Sequence, residues 1–221
     1  MPVRTIPRNH RSLTGQIASR SQGRPIAFES ALERDFALLQ IFDPTVESVE
    51  EQPVRIEYRA PTGRPSQYTP DFLVSYRTGG SPHRLVEVKY QAELDRKAER
   101  YAACFEAARA FAAERGWAFE VVTEVAIRTP RLENVRFLLP FQNRRFSATL
   151  RSRLVEVIAT AGTMTVADVL ENAKFSNESE RMEALACLWN LLSRGCVHAD
   201  IGQPLSMSTV LHFAGEDAHG R

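Results

Sequence analysis

Two strand-like segments, a long amphipathic helix and a further strand follow one another in the middle of the chain, and this order most constrains the fold. Tyr68–Tyr76 alternates between two faces, and His83–Tyr90 follows it after a glycine-rich, hairpin-type connection. Ala92–Arg115 has apolar side chains at helical spacing, and Gly116 suits the position after a helix. Because a strand at Ala118–Thr123 needs a crossover to rejoin the sheet, we predict a mixed sheet flanked by helices.

An earlier helix is predicted from an apolar stripe. Leu32, Phe36 and Leu39 fall on one helical face, so we expect a helix that begins near Phe28 and ends before Asp43–Pro44. A predicted strand and a predicted turn come next, at Val54–Tyr58 and Pro61–Pro65. The pattern before residue 128 therefore predicts an α/β domain.

The last third of the chain has a different pattern. Thr165 is a good N-cap, and Asn177 with Glu180 matches a capping signal. Three helices and two short strands are predicted, the helices at Leu150–Thr160, at Val166–Ala173 and after Asn177, and the strands at Cys196–Ile201 and Ser208–Phe213. Three helices and a β-hairpin are typical of a winged helix-turn-helix, so we expect a small winged-helix-like domain.

Positive charge is concentrated in two places, although the net charge of the chain is only +1. Residues 1–27 contain five arginines and no acid, and residues 128–153 contain seven arginines and one acid. Such segregation is what phosphate-contacting segments would show. We predict a flexible basic arm at 1–27, an α/β domain at 28–142 with a basic linker from 128, and the winged-helix-like domain at 143–221.

The cellular setting follows from what the sequence lacks. No apolar run approaches the roughly 18 residues of a membrane span. The three cysteines are odd in number and form no CxxC pair, which argues against a disulfide or zinc framework. We therefore expect a cytoplasmic protein without membrane contact.

The residues that point to chemistry are Pro70–Asp71 and Glu87–Val88–Lys89, which fit the PD…(D/E)xK pattern of metal-dependent nucleases. Asp71 begins one predicted strand and Glu87 lies on its neighbour, so the two carboxylates can converge. Glu87 and Lys89 share a face because side chains alternate along a strand. Carboxylate oxygens suit Mg²⁺, which lowers the pKa of a bound water and neutralises charge on a phosphodiester.

Lys89 is one of only 3 lysines, against 25 arginines, so an ammonium is present where this chain would ordinarily use a guanidinium. The alternative is an ordinary surface ion pair with Glu87 or Asp71. A third carboxylate is expected from the first helix, either Glu33 or, one turn earlier, Glu29. Each of these could instead be an acid favoured by the helix dipole.

An ordered series of short motifs resembles the TnsA endonuclease subunit of heteromeric, cut-and-paste bacterial transposases, over about residues 28–140. The similar runs are Phe28–Phe36, Phe42–Pro44, Glu51–Pro53, Tyr68–Val74 and Leu85–Lys89. The resemblance implies a restriction-endonuclease-like fold and cleavage of double-stranded DNA at the 5′ ends of the transposon. It implies a DDE-type transposase (TnsB-like) and an AAA+ ATPase regulator (TnsC-like) as partners.

The same resemblance implies the site residues. Glu33, Asp71, Glu87 and Val88 would form the metal site for Mg²⁺, with Mn²⁺ as a substitute, and Lys89 would be the catalytic lysine. Outside this site, four basic side chains are predicted to contact DNA phosphates, namely Arg144, Arg145, Arg151 and Arg153. Two alternatives remain open: a stand-alone restriction or repair nuclease, and a winged-helix DNA-binding regulator with an inactive nuclease-like domain.

Overall fold

The chain forms two compact units, Met1–Arg128 and Thr129–Arg221. The structure, a computed structural model, describes residues 14–18, 23–77 and 82–213. No helix within these ranges is long and apolar enough to span a bilayer.

The first unit is a mixed α/β fold built on a four-stranded sheet. Its elements are β1 (Gly15–Ile17), β2 (Ile26–Phe28), α1 (Ala31–Phe42), β3 (Val46–Glu51), β4 (Ile56–Arg59), β5 (Pro65–Tyr68), β6 (Phe72–Tyr76), β7 (Arg84–Val88), α2 (Gln91–Ala113), β8 (Ala118–Val122) and α3 (Glu124–Ile127). The sheet has the order β3-β6-β7-β8. β6 is antiparallel to β3 and β7, whereas β8 is parallel to β7. The predicted mixed sheet flanked by helices is confirmed here.

The two inner strands of the sheet are fixed by the core. Phe72 and Val74 on β6 are buried, as are Leu85 and Val86 on β7. Helix α1 packs its apolar stripe on this sheet, with the Phe36 and Phe72 rings 5.4 Å apart. Burial on both faces leaves β7 little freedom, so the residues at its end are held rigidly.

The long helix α2 begins immediately after Lys89 and Tyr90. Its bounds agree with the predicted helix to within two residues at each end, and Gly116 after it has a φ of +69°. A local break at Lys97, with φ −120° and ψ 22°, interrupts the helical geometry. Because the helix starts two residues after Lys89, its first turn borders the end of β7.

Part of the predicted flexible arm is a strand. Gly15–Ile17 pairs antiparallel with Ile26–Phe28. A Cβ atom at Gly15 would lie 2.6 Å from Cζ of Phe28, so a larger residue would force the Phe28 ring to shift. The rest of the arm, at 1–13 and 19–22, lies outside the described residues, as does most of the predicted glycine-rich connection at 78–81.

The second unit combines helices with a small sheet. Its elements are α4 (Pro130–Gln142), α5 (Ala148–Ala161), β9 (Thr163–Thr165), α6 (Val166–Asn172), α7 (Glu178–Ser193), β10 (Val197–His198) and β11 (Val210–Phe213). The strands form an antiparallel sheet in the order β10-β11-β9. The predicted caps are confirmed: Thr165 accepts from the Asp168 N–H, and Asn177 accepts from the Glu180 N–H.

The segment predicted as a basic linker from residue 128 contains helix α4. Leu132, Val135 and Leu138 on α4 are fully buried. The side chain of Asn190 on α7 donates to the backbone oxygen of Phe141, at 2.7 Å. Residues 129–142 therefore pack within the second compact unit. The predicted division, with an α/β domain and its basic linker at 28–142, stays a prediction.

Candidate active site

Two acidic side chains meet where β6 begins and β7 ends. Asp71 directly precedes β6, and Glu87 is the penultimate residue of β7. Phe72 pairs with Val86 in the antiparallel ladder, which places Asp71 opposite Glu87 one step further along. Opposite residues in an antiparallel pair present their side chains close together on the same face.

The ammonium of Lys89 lies between these two acids. Its Nζ is 2.6 Å from Oε1 of Glu87 and 3.4 Å from Oδ2 of Asp71. It also donates to the backbone oxygen of Val88, at 3.2 Å. The Glu87 side chain is 4% exposed, against 22% for Lys89, so the ion pair is mostly shielded from water. The structure thus brings together the predicted residues Asp71, Glu87, Val88 and Lys89, whose chemical roles stay a prediction.

Further hydrogen bonds hold the two carboxylates in place. The Val88 N–H donates to Oδ2 of Asp71, at 2.8 Å. The hydroxyl of Tyr68, on β5, donates to Oε2 of Glu87, at 2.6 Å. Burial, followed by the charge of Glu87, raises the pKa of the Tyr68 hydroxyl, so it remains a donor at neutral pH. Each carboxylate therefore has one oxygen bound to a fixed donor.

Glu33 lies in the first turn of α1, and its carboxylate accepts hydrogen bonds from the residues that precede the helix. Ser30 donates through its hydroxyl to Oε1 of Glu33, at 2.9 Å, and the Glu29 N–H donates to Oε2, at 2.7 Å. The Glu33 N–H in turn donates to the hydroxyl oxygen of Ser30, at 3.1 Å, which is the usual N-cap hydrogen bond. Burial, then the nearby charge of Asp71, raises the pKa of Glu33 to about 7. Glu33 therefore both caps α1 and interacts electrostatically with the site.

Glu29, the alternative third carboxylate, also interacts with the site. The side-chain amide of Gln52 donates from Nε2 to Oε1 of Glu29, at 3.1 Å. The charge of Glu29 is among the causes that raise the pKa of Asp71. Both acids of the first helix region are thus near Asp71, and the choice between them as a metal ligand stays open.

Burial makes the negative charge of this cluster unfavourable. Burial and then the Asp71 charge raise the pKa of Glu87 to about 7, and burial is also the main cause that raises the pKa of Asp71. Burial alone would lower the pKa of Lys89, but Asp71 and Glu87 outweigh it and raise that pKa above its ordinary value. The cluster therefore favours either a bound proton or an additional cation.

The donor atoms suit a hydrated Mg²⁺ ion. Within the part of the chain that the structure describes, no group of three or more His, Cys, Asp or Glu side chains is arranged to hold a metal. Mg²⁺, however, usually keeps several waters and takes only one or two protein carboxylates. Asp71, Glu87 and the carbonyl of Val88 supply oxygen ligands of this kind, and a divalent cation would relieve the repulsion between the two buried acids.

The four arginines predicted to contact DNA all lie in the second unit, in different surroundings. Arg153 donates to the backbone oxygens of Ala173 and Lys174 at the end of α6, and its guanidinium lies 4.8 Å from the Phe175 ring centre. Arg144 lies over the rings of Phe141 and Phe146. Arg145 is exposed, whereas Nε of Arg151 is buried without a hydrogen-bond partner among the described residues. Their contact with DNA stays a prediction.

Two residues that contact the site were not singled out from the sequence. Tyr68 fitted a strand, and nothing in its pattern indicated that its hydroxyl faces a carboxylate. Gln52 is only 7% exposed and contacts both Glu29 and the backbone of Asp71. Its one sequence signal was its place in the Glu51–Pro53 run.

Comparison with known proteins agrees with the predicted family for the first unit. Residues 43–124 match the family model described as "TnsA-like endonuclease N terminal". The matched segment contains Gln52, Asp71, Glu87 and Lys89 and begins after Glu33. No curated protein matches the chain.

Proposed function

We propose that this chain, whose residues 43–124 are a TnsA-like endonuclease N-terminal domain, is the metal-dependent endonuclease subunit of a heteromeric transposase and cleaves DNA at the 5′ ends of the transposon. The observation that supports this best is the Lys89 ammonium, paired with Glu87 and Asp71 at the edge of adjacent strands inside that domain. An ordinary surface ion pair would be exposed, whereas this one is mostly shielded.

In this proposal Asp71, Glu87 and the Val88 carbonyl hold Mg²⁺, with Glu33 as the third carboxylate. When bound, the ion would lower the pKa of a coordinated water and neutralise charge that builds on the phosphodiester. Mn²⁺ offers the same kind of oxygen-ligand chemistry and should substitute. The buried acids then become ionised, because a nearby opposite charge lowers a carboxyl pKa.

Lys89 acts on the substrate side of the same site. Its pKa is raised, so its three N–H donors are present throughout the neutral range. An ammonium that donates to the attacking water and to a phosphate oxygen would orient the nucleophile and stabilise the charge of the transition state. Nζ lies 2.6 Å from Glu87, so the ammonium is held at the site before substrate binds.

An aromatic and basic pair next to Lys89 supports DNA as the substrate. Tyr90 is 41% exposed, and Nη2 of Arg128 donates to its hydroxyl, at 3.0 Å. A guanidinium beside an exposed ring suits contact with a phosphate or a sugar. In the second unit, a winged-helix-like domain would add phosphate contacts through exposed arginines such as Arg145.

The partners of the proposed reaction are a DDE-type transposase, which would cut and join the 3′ ends, and an AAA+ ATPase that controls both. The test is reconstitution of the three proteins with DNA that contains a transposon end, in Mg²⁺, with 5′ cuts mapped by primer extension. We expect 5′ cleavage with the wild-type chain and none with Asp71→Asn or Lys89→Ala.

Two matched variants control this experiment. Lys97→Ala removes another partly exposed lysine that pairs with a glutamate, and Glu57→Gln neutralises an exposed acid on β4. Both should cleave as the wild type does. Cleavage by the chain alone would favour a stand-alone nuclease, and sequence-specific binding without metal-dependent nicking in any mixture would favour a regulator.

A further inference from the structure

The segment after β3 bends sharply at Gln52. Gln52 has a φ of +45°, and Lys174 is the only other non-glycine residue with a positive φ in the described part of the chain. A left-handed backbone costs an L-residue about 1–2 kcal/mol. Glycine would avoid this cost, so a glutamine at this position suggests that its side chain has a role.

Gln52 links two parts of the active site, one through its backbone N–H and one through its side chain. Its N–H donates to the backbone oxygen of Asp71, at 2.8 Å, and its side-chain Nε2 donates to Oε1 of Glu29, at 3.1 Å. An ionised carboxylate only accepts hydrogen bonds, so the amide nitrogen must face Glu29. The orientation of the amide group follows from this contact.

The remaining amide oxygen of Gln52 is the second unusual feature. Oε1 is buried, and no donor reaches it from the residues that the structure describes. A buried acceptor without a partner costs about 1–3 kcal/mol. An ordered water is the usual donor to such a group, and a hydrated cation brings waters whose protons need acceptors.

We propose that Gln52 is a positioning residue of the metal site: it holds Glu29 against the carboxylate cluster and offers its buried Oε1 to a water in that cluster. This inference rests on the proposed nuclease function. Glu29 in turn donates its N–H to Oε2 of Glu33, at 2.7 Å. Gln52 therefore connects Glu29, Glu33 and Asp71 through contacts of its own or of Glu29.

The neighbouring acid does not share this role. Glu51 forms an ion pair with Arg24, at 2.8 Å, so its carboxylate is already neutralised by an arginine. Gln52, by contrast, combines a left-handed backbone with an unsatisfied amide oxygen. Two such costs at one residue are typical of functional sites.

The test measures Mn²⁺ affinity by titration calorimetry without DNA, on the full chain. Gln52→Gly keeps the N–H that binds Asp71 and adopts a positive φ without strain, but it removes the side chain. Removal of a group that orients a metal ligand typically costs 10–100-fold in affinity, so we expect the Mn²⁺ Kd to rise by about that factor. The melting temperature without metal should be equal to or higher than that of the wild type.

Controls separate this role from backbone effects. Lys174→Gly relieves the other positive φ and should leave the Mn²⁺ Kd unchanged. Gln52→Asn tolerates the left-handed backbone but is one methylene shorter, so it should raise the Kd as well. Glu29→Ala should weaken Mn²⁺ binding, and the loss of affinity in its combination with Gln52→Gly should be smaller than the product of the two single effects.

The possible results are distinct. An unchanged Kd in Gln52→Gly and Gln52→Asn, or effects of Gln52→Gly and Glu29→Ala that multiply, would overturn the role of Gln52 and leave the proposed function standing. A wild-type chain that binds no Mn²⁺ would overturn both. A higher Mn²⁺ Kd in Gln52→Gly than in the wild type would support the inference under two conditions. Lys174→Gly must keep the wild-type Kd, and the effect of Gln52→Gly must be smaller when Glu29 is already replaced.

Discussion

The hydroxyl of Tyr68 donates a 2.6 Å hydrogen bond to Oε2 of Glu87, and it does so from β5, a strand outside the main sheet. The ring of Tyr68 packs against Phe105 on α2, at 6.1 Å between ring centres. The orientation of a predicted metal ligand therefore depends on the position of the β4–β5 hairpin.

Tyr68→Phe should impair catalysis and leave the fold intact. The ring contact with Phe105 is retained, but Glu87 loses a charge-assisted hydrogen bond of about 1.5–3 kcal/mol. We expect the cleavage rate in the reconstituted reaction to fall by roughly 10-fold or more.

Tyr101→Phe is the matched control for this change. Tyr101 also packs on Phe105, and its hydroxyl donates a hydrogen bond of 2.7 Å to Glu93, which lies outside the site. Equal rates for the two variants would show that the Tyr68 hydroxyl has no special role.

Without metal, the stability of the protein should fall as the pH rises from 5.5 to 8. In the folded chain Glu33 and Glu87 have a pKa of about 7, raised mainly by burial from an ordinary 4.5. Between these two values the folded state binds more protons than the unfolded state, so rising pH favours unfolding. The expected loss is about 2 kcal/mol in the free energy of unfolding for each of the two groups.

Urea denaturation in EDTA at both pH values measures this loss. The double variant Glu33→Gln/Glu87→Gln lacks both titrating groups and should lose less stability over the same interval. If the free energy of unfolding changes with pH as much in the double variant as in the wild type, the expectation is wrong.

Mg²⁺ should stabilise the folded chain through Asp71. A ligand at 100 times its Kd that binds only the folded state adds about 2.7 kcal/mol to the free energy of unfolding. Thermal denaturation with and without Mg²⁺, at equal ionic strength, should show a higher melting temperature for the wild type and for Glu57→Gln. Asp71→Asn should show no shift, and a shift as large as that of the wild type would place the ion elsewhere.

Arg153 and Arg145 should differ although we predicted both as DNA contacts. Arg153 donates to two carbonyls at the end of α6, so Arg153→Ala should reduce the stability of the second unit by about 1–2 kcal/mol. Arg145 is exposed, and Arg145→Ala should weaken DNA binding in a salt-dependent way without a change in melting temperature. Melting curves and DNA titrations at two salt concentrations distinguish the two outcomes.

The residues at the centre of the site were accessible from the sequence because strand geometry is simple. Side chains alternate along a strand, so Glu87 and Lys89 were expected to share a face, and pairing of two neighbouring strands could bring Asp71 close. The structure has this arrangement, with 2.6 Å between Lys89 and Glu87.

Two other strands of the first unit, β3 and β5, were harder to predict. β3 reads Val-Glu-Ser-Val-Glu-Glu, and its pairing with β6 shifts register between Val46 and Ser48. A bulge of this kind breaks the alternation on which strand prediction depends. β5 begins at Pro65, which we interpreted as the end of a turn, although proline is tolerated at the first residue of a strand.

Helix α4 was not predicted, because both its charge and its proline argued against a buried helix. Its arginines indicated an exposed linker, and Pro140 lies inside it. Proline in a helix interior removes a backbone hydrogen bond and normally argues against a helix. The buried face of Leu132, Val135 and Leu138 outweighs that cost.

The position of Lys89 between two acids has a consequence for how the protein is made and stored. Structural zinc sites often leave a chain unfolded until the metal arrives. Here an internal ammonium already balances part of the buried negative charge, since it contacts both Glu87 and Asp71. The chain should therefore fold and assemble with partners in a chelating buffer, and the metal would be needed only when DNA is cut.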